Sequence, residues 1–491
     1  MKISRVIKRI PSWLLVLIIT SVGAIFRFID ISKSSIWHDE GFSIMLSSRS
    51  PYDIWVGSAR DVHPPLYYTL LHVWTSIFGS SVVAIRGLSA IAGIAIIPVG
   101  YLVIKRISGK RAALLGALLL ALAPFLVRYS QEARMYGLLG LEMAVALYSV
   151  VRISETPNKK WPYLVYVLSV TAGLYTHYFA ALAVISFWFY FIVLESPKKW
   201  KLNKTIFLSI KWWVANIFAL VLLLPWIPNM ISQIRRGQGL GWLPKSTIHT
   251  FNDTFWQFIT FTDARQVWII FYWLIPIAFL VATAYLIIKD KSEQKYITLL
   301  ASFSLIPILF ALIISTQKPI FHERYFAFAA TGIFMLIAIF IDRISSKNIW
   351  LFSTLSLIII TTELVGIRNV YGQSNHQMEK VMSHINNYPV QGTPIVAGEL
   401  YVYFDGSFYS HSTQSLELYT GQGRPNGYGE SGLIYDKNVY LDSYNLVQPG
   451  TKLWLLGKTG SHTYYDKVPS SWTLIDEYTS GYIEARLYQV N

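Results

Sequence analysis

Long apolar runs and short polar segments alternate over the first 369 residues of the chain. A helix needs roughly 20 residues to cross the hydrocarbon core of a bilayer, because it rises about 1.5 Å per residue. About eleven of the runs come close to that length. We predict spans at 12–29, 82–104, 112–127, 135–152, 162–176, 178–194, 206–224, 267–288, 296–315, 324–341 and 349–367. The pattern therefore predicts a mostly α, polytopic membrane domain over residues 1–369.

Residues 30–81 interrupt this pattern with a polar, acidic loop. Its run at 65–79 is apolar but only about 15 residues long, and it carries His72, so we predict an interfacial helix rather than a span. If this run crossed, the basic loop KRISGKR after the next span would lie outside, which is the unfavourable side for Lys and Arg. Residues 30–81 are therefore predicted to form one outer loop.

The composition changes again near residue 370, where apolar runs of spanning length end. HQMEKVMSHINNY (376–388) has the pattern of a helix, and TPIVAGEL, SLELYT, TKLWLLG and IEARLYQV have that of short strands. We predict a small extracytoplasmic α/β domain over residues 370–491.

The distribution of charged residues predicts the orientation of the chain in the membrane. Only 14% of residues are charged, against about 25% in soluble domains, yet the net charge is +15. The basic residues cluster in alternate loops and at Lys2, Arg5, Lys8 and Arg9, which predicts a cytoplasmic N-terminus in the cell membrane rather than a nucleic-acid partner. The chain has no cysteine, which excludes a thiolate nucleophile and cysteine-ligated zinc.

This orientation collects the unusual polar residues of several loops on the outer face. Charged groups near a membrane are costly and therefore point to a function. A carboxylate is a suitable base for a hydroxyl nucleophile, and arginines stabilise a departing phosphate. We predict transfer of a sugar from a polyprenyl phosphate, held among the membrane lipids, to an acceptor hydroxyl. The acceptor is a protein, a lipid or a glycan, and the anomeric centre is inverted. Asp39 is the predicted base, and the supporting candidates are Glu40, Asp61, His63, Arg86, Glu132, Arg134, His177, Arg324 and Tyr325.

Several of these residues lie in motifs that resemble the C-type (GT-C) membrane glycosyltransferases. The nearest branch is the protein O-mannosyltransferase and aminoarabinose-transferase-like group, glycosyltransferase family 39. The resemblance covers about residues 1–345, and its later blocks are similar to bacterial members, which implies a prokaryotic source. The motifs are WHDE (37–40), DVHPPLYY (61–68), Arg86, SQEARMY (130–136), YTHY (175–178) and ERY (323–325).

The resemblance implies roles for individual positions. Asp39 matches the expected base, and Arg86 matches an arginine near the start of the second span in the mannosyltransferase branch. His63 replaces a lysine that faces the lipid phosphate in the aminoarabinose branch. Val62 replaces a glutamate that helps to hold a metal there. The outer loops have no fixed-spacing metal motif either, so a divalent metal is possible but none is predicted to be required.

Structural alternatives remain open at this stage. Asp39 and Glu40 are suited to capping an interfacial helix, and Asp61 to capping the helix after Pro64 and Pro65. Glu132 and Arg134 are suited to structural ion pairing with other outer loops. The alternative functions are a transporter or lipid flippase, which Glu142 within a span favours, and a non-catalytic scaffold.

Overall fold

Helices account for most of the chain in the computed structural model, and they fall into two compact units. One unit comprises Met1–Ile29, Arg86–Ser232 and Leu240–Gln373, and the other comprises Asp30–Ile85, Gln233–Gly239 and Ser374–Asn491. The basic residues Lys2, Arg5, Lys8 and Arg9 lie outside the described residues. The structure describes residues 11–194, 206–236, 243–262, 267–292, 295–373, 375–389, 392–410, 414–421, 423, 429–434 and 439–491.

Every predicted span coincides with helical structure. The helices of the first unit are α1 (Ser12–Phe28), α5 (Val82–Ile107), α6 (Lys110–Leu122), α7 (Pro124–Ser130), α8 (Tyr136–Glu155), α9 (Trp161–Thr176), α10 (Ala180–Phe189), α11 (Ile210–Leu223), α12 (Ile227–Arg236), α13 (Thr250–Thr260), α14 (Ile269–Lys289), α15 (Tyr296–Ser315), α16 (Ala327–Ile344) and α17 (Ile349–Gly372). A π-helical turn, Tyr190–Leu194, extends α10, and a 3₁₀ turn, Glu323–Phe326, precedes α16. The division into units falls within α5 and α12, near their ends.

Six helices of the described chain are long and apolar enough to cross a membrane, and two bent pairs raise the number to eight. The bend between α6 and α7 is 52°, and the bend between α11 and α12 is 72°. Pro124 and Pro225 lie at these breaks, where the missing backbone N–H interrupts a continuous helix. The chain is therefore a multi-pass membrane protein, and the number of eleven spans stays a prediction.

Small residues allow the helices of this unit to pack closely. A Cβ at Gly23 of α1 would lie 3.1 Å from the Ala121 side chain of α6. A Cβ at Gly366 of α17 would lie 2.5 Å from Pro124 of α7 and 3.0 Å from the backbone of Thr260 in α13. Such contacts are typical of membrane helices, where close packing replaces the hydrophobic driving force.

The second unit contains the outer-loop helices α2 (His38–Ser47), α3 (Pro51–Arg60) and α4 (Leu66–Phe78). The predicted interfacial helix at 65–79 is α4. The C-terminal part of the unit contains α18 (Gln377–Asn386), α19 (Leu400–Tyr409) and the short α20 (His462–Tyr465). Its strands are β1 (Ile395–Ala397), β2 (Leu416–Tyr419), β3 (Tyr440–Leu441), β4 (Lys452–Lys458), β5 (Thr473–Ser480) and β6 (Ile483–Gln489).

The strands form one mixed sheet in the order β3-β2-β1-β4-β6-β5. The first four strands are parallel, and β6 pairs antiparallel with both β4 and β5. Trp454 and Leu455 of β4 are buried at its centre. All four sequence runs with strand character and the helix at 376–388 are present. The sequence reasoning missed α19, whose aromatic residues favour a strand, and the largely exposed edge strand β5.

Candidate functional site

The predicted base lies in the first turn of α2. This helix begins at His38 with Trp37 as its N-cap, so Asp39 and Glu40 are first-turn acids and neither is the N-cap residue. Both carboxylates are buried, with Asp39 8% exposed and Glu40 fully enclosed. The partial positive charge of the helix N-terminus stabilises acids at these positions. Nε2 of His38 lies 3.0 Å from Oδ1 of Asp39, which adds a second local contact to the carboxylate.

Asp61 and His63 form a pair between α3 and α4. Oδ2 of Asp61 accepts a hydrogen bond from the backbone N–H of His63 at 3.3 Å and lies 2.9 Å from Nδ1 of the same residue. The carboxylate therefore fixes both the turn and the orientation of the imidazole ring. Asp61 thus orients the candidate phosphate ligand His63. It does not cap α4, because the N-cap of that helix is Pro65, with no side-chain capping hydrogen bond.

Helix α19 packs against α2 and brings in a carboxyl that the sequence analysis did not consider. A Cβ at Gly41 would lie 2.6 Å from the carbonyl oxygen of Phe404, so α2 and α19 are in backbone contact. The Phe42 and Phe404 rings lie 5.8 Å apart, and His38 meets Tyr401 edge-on at 4.6 Å. The next residue of α19 after Phe404 is Asp405. Nothing in the sequence spacing relates residues so distant along the chain.

Burial raises the pKa of Asp405 to about 8, and the carboxylates of Glu40 and Asp39 contribute in the same direction. His38 and Lys458 act against this increase. Within the part of the chain that the structure describes, Oδ1 of Asp405 is buried without a hydrogen-bond partner. Asp405 therefore belongs to the electrostatic surroundings of the predicted base and holds its proton at neutral pH.

The same unit contains an open groove of about 710 Å³ between α18 and β5. His384 stacks on Tyr478 at 4.4 Å within it and pairs with Asp476 at 2.8 Å. None of the predicted site residues lines this groove, so it is separate from the acids of α2.

In the first unit, Arg324 lies beside aromatic rings from two segments. Its guanidinium lies 5.7 Å from the ring centroid of Tyr136 and 5.8 Å from that of Tyr325. His177 contacts Tyr325 at a centroid distance of 5.0 Å. The structure therefore brings together three predicted residues of the YTHY and ERY blocks. The sequence analysis quoted Tyr136 only within a motif and missed its place at this cation.

A smaller cavity of about 190 Å³ adjoins the ERY block and is lined in part by His322 and Glu323. Nδ1 of His322 lies 3.1 Å from the Glu323 carboxylate. The contacts near Arg324 thus combine a cation, aromatic rings and an acid–histidine pair, a set suited to a phosphate held beside an apolar chain.

The SQEAR block has a structural part and a charged part. Gln131 donates to the backbone carbonyl of Ile29 at 2.8 Å, which ties the block to the end of α1. Glu132 forms an ion pair with Arg128 at 2.7 Å. The carbonyl of Arg134 accepts a hydrogen bond from Ser89 of α5 at 2.9 Å. Arg86, one turn earlier on α5, is also buried.

The described residues contain no group of three or more His, Cys, Asp and Glu arranged to hold a metal ion. Asp39, Glu40 and Asp405 lie near one another through α2 and α19, but they do not form such a group. The expectation that no metal is required stays a prediction.

Comparisons with known proteins agree with the motifs. Residues 62–228 match the family model described as dolichyl-phosphate-mannose-protein mannosyltransferase. Among curated proteins, no sequence matches the chain significantly.

Two sets of solved structures share the fold. The structure of ArnT from Cupriavidus metallidurans bound to undecaprenyl phosphate matches with a TM-score of 0.65 at 13% identity, over 96% of this chain and 97% of that chain. The oligosaccharyltransferase AglB from Archaeoglobus fulgidus, in complex with an inhibitory peptide and a dolichol-phosphate, matches with a TM-score of 0.52 at 11% identity, over 91% of this chain and 69% of that chain. The chain therefore shares the fold of these enzymes over most of its length, and its residues 62–228 match the family described as dolichyl-phosphate-mannose-protein mannosyltransferase.

Proposed function

We propose that the chain transfers a sugar from a polyprenyl phosphate to an acceptor hydroxyl on the outer face of a prokaryotic cell membrane. The observation that carries this proposal is the pair of buried acids in the first turn of α2, in a chain with the GT-C fold. The ArnT structure holds undecaprenyl phosphate, and the AglB structure holds a dolichol-phosphate and a peptide, which supports a lipid-linked donor here.

In the proposed reaction, the Asp39 carboxylate accepts the proton of the acceptor hydroxyl. The hydroxyl oxygen attacks the anomeric carbon while the bond from that carbon to the phosphate oxygen breaks. The electron pair leaves with the polyprenyl phosphate, and the proton ends on Asp39. A single displacement of this kind inverts the anomeric centre.

Cationic side chains would stabilise the phosphate as it departs. Arginine is suited to this because its planar guanidinium can donate two parallel hydrogen bonds. The candidates are His63, held by Asp61 through Nδ1, and Arg324 among its aromatic neighbours. Arg86 and Arg134 are assigned the same role because they are buried arginines near the start of α5 and before α8.

The test is Asp39→Asn in detergent-solubilised protein supplied with undecaprenyl-phosphate-linked sugars, including mannose and 4-amino-arabinose. Removing a general base costs about 10²- to 10⁴-fold, so we expect release of undecaprenyl phosphate to fall by at least about 100-fold. Asp30→Asn is the matched control. Asp30 is an exposed acid of the same unit with a left-handed backbone (φ 55°) that asparagine tolerates. Near-wild-type turnover of Asp39→Asn would disprove the assignment of the base.

Transport of a lipid-linked sugar is the second candidate function, because two carboxyls are buried within apolar helices. Glu142 of α8 accepts a hydrogen bond from Thr176 at 3.0 Å, and Glu363 of α17 is fully buried. Ionisable groups at this depth are frequent in transport pathways. The solubilised assay separates the two functions, since transfer needs no intact vesicle and transport does.

A further inference from the structure

We propose that Asp405, on α19 of the C-terminal part of the chain, is a positioning residue that sets the charge beside Asp39 and Glu40 in the first turn of α2. This inference rests on the proposed function, because it concerns the same base. It gives the C-terminal residues a defined part in the reaction.

Helices α2 and α19 are in direct contact. The contact of Gly41 with the Phe404 backbone leaves no space for a side chain between α2 and α19. The ring contacts of Phe42 with Phe404 and of His38 with Tyr401 flank this point on both sides. Asp405 follows directly after Phe404, and its carboxyl is close enough to the first turn of α2 to interact with the charges of Asp39 and Glu40.

The Asp405 carboxyl is partly shielded from solvent and lies among other titratable groups. Its Oδ1 has no hydrogen-bond partner among the described residues, although it is buried. A carboxylate in that position would be costly, whereas an uncharged carboxyl costs much less. The charged groups that act on it from the neighbouring elements are His38, Asp39 and Glu40 of α2 and Lys458 at the end of β4. Lys458 is itself paired with Glu399 at 2.8 Å.

The protonation state of Asp405 affects how well the donor phosphate binds. While Asp405 holds its proton, it adds no charge beside Asp39 and Glu40. When Asp405 ionises, a new negative charge appears beside the first turn of α2. The donor phosphate is also an anion, so the added charge repels the donor and weakens its binding. Donor binding therefore declines as the pH rises through the pKa of Asp405, and the proton that leaves Asp405 passes to solvent.

The experiment is a pH profile of kcat/KM for the donor in solubilised wild type, Asp405→Asn and Asp476→Asn. For a group with a pKa of about 8, the protonated fraction falls about tenfold between pH 7 and pH 9, so wild-type kcat/KM should fall about tenfold. Asparagine cannot ionise, so the same ratio in Asp405→Asn should stay within about twofold. Asp476→Asn, a carboxyl paired with His384 instead, should keep the wild-type profile.

Two outcomes would overturn the inference. One is an alkaline loss in Asp405→Asn as large as that of wild type. The other is an equal reduction of kcat/KM at every pH, which is the result expected if Asp405 only supports the fold.

A different variant tests the proposed function, so its failure can be told apart from the failure of the inference about Asp405. If Asp39→Asn retains turnover, the assignment of the base is wrong, whatever the pH profiles show. If Asp39→Asn abolishes turnover and Asp405→Asn keeps the wild-type profile, only the role of Asp405 is lost.

Discussion

At the scale of single residues, Arg27 shows how a buried charge can serve structure alone. Its guanidinium is fully buried at the end of α1 and donates to the carbonyls of Leu120 and Ala121, each at 3.0 Å. It also donates to Gly23 at 3.1 Å and to Ser130 at 3.3 Å. The carbonyls lie in the last turn of α6, where the helix lacks further donors before Pro124. Arg27 therefore supplies the hydrogen-bond donors that the last carbonyls of α6 lack at the break before α7.

Arg27→Met should destabilise the protein, because these carbonyls lose charge-assisted hydrogen bonds worth about 1.5–3 kcal/mol each, partly offset by removal of the buried charge. We expect a net loss of about 2 kcal/mol, measured as a melting temperature several degrees lower in detergent. Arg106→Met is the control, since Arg106 is half-exposed and 3.5 Å from Glu155. Equal melting temperatures for the two variants would contradict this role of Arg27.

At the scale of elements, the bent pair α6–α7 is held by its contact with α17. Gly366 meets Pro124 and the backbone of Thr260, so one position touches both α7 and α13. Gly372, on the last turn of the same helix, has no atom of another residue within 4 Å of the point that a Cβ would occupy. Two glycines of one helix thus differ completely in what a side chain would meet.

Gly366→Ala should lower the melting temperature, because a methyl group 2.5 Å from Pro124 forces the helices apart, at a cost of about 1–3 kcal/mol. Gly372→Ala should be neutral or slightly stabilising, since alanine favours a helix over glycine by up to about 1 kcal/mol. Thermal unfolding of both variants in one detergent makes the comparison. A neutral Gly366→Ala would show that α17 moves aside without cost.

At the scale of the whole molecule, the cysteine-free sequence allows a direct test of orientation. Ser471 and Lys347 are both exposed, the first before β5 and the second between α16 and α17. The predicted topology assigns Ser471 to the outside and Lys347 to the cytoplasm, according to the placement of basic loops.

In intact cells, we expect a membrane-impermeant maleimide to label Ser471→Cys. Lys347→Cys should react only after the cells are permeabilised. The cysteine-free parent chain is the control for background labelling. Labelling of Lys347→Cys but not Ser471→Cys in intact cells would reverse the topology, and with it the outer-face assignment of α2.

The sequence by itself determined the architecture of this protein. Apolar runs of spanning length placed every predicted span on helical structure, because a membrane helix must satisfy its backbone internally and expose apolar side chains along its length. The change in composition near residue 370 likewise predicted the C-terminal α/β region, four of its strands and one of its helices. The motifs around Asp39 and Arg324 resemble those of the GT-C enzymes. They could be recognised in the sequence because each is a short, contiguous pattern.

Only the tertiary structure decided which residues act on one another. Asp405 is separated from Asp39 by more than 360 positions in the sequence, and no local periodicity relates them. The same holds for Arg27 with the α6 carbonyls and for Arg324 with Tyr136. Burial and charge coupling depend on distances in the folded chain, so the protonation of Asp405 follows from packing. The sequence identified the predicted base, and the fold supplied its electrostatic surroundings.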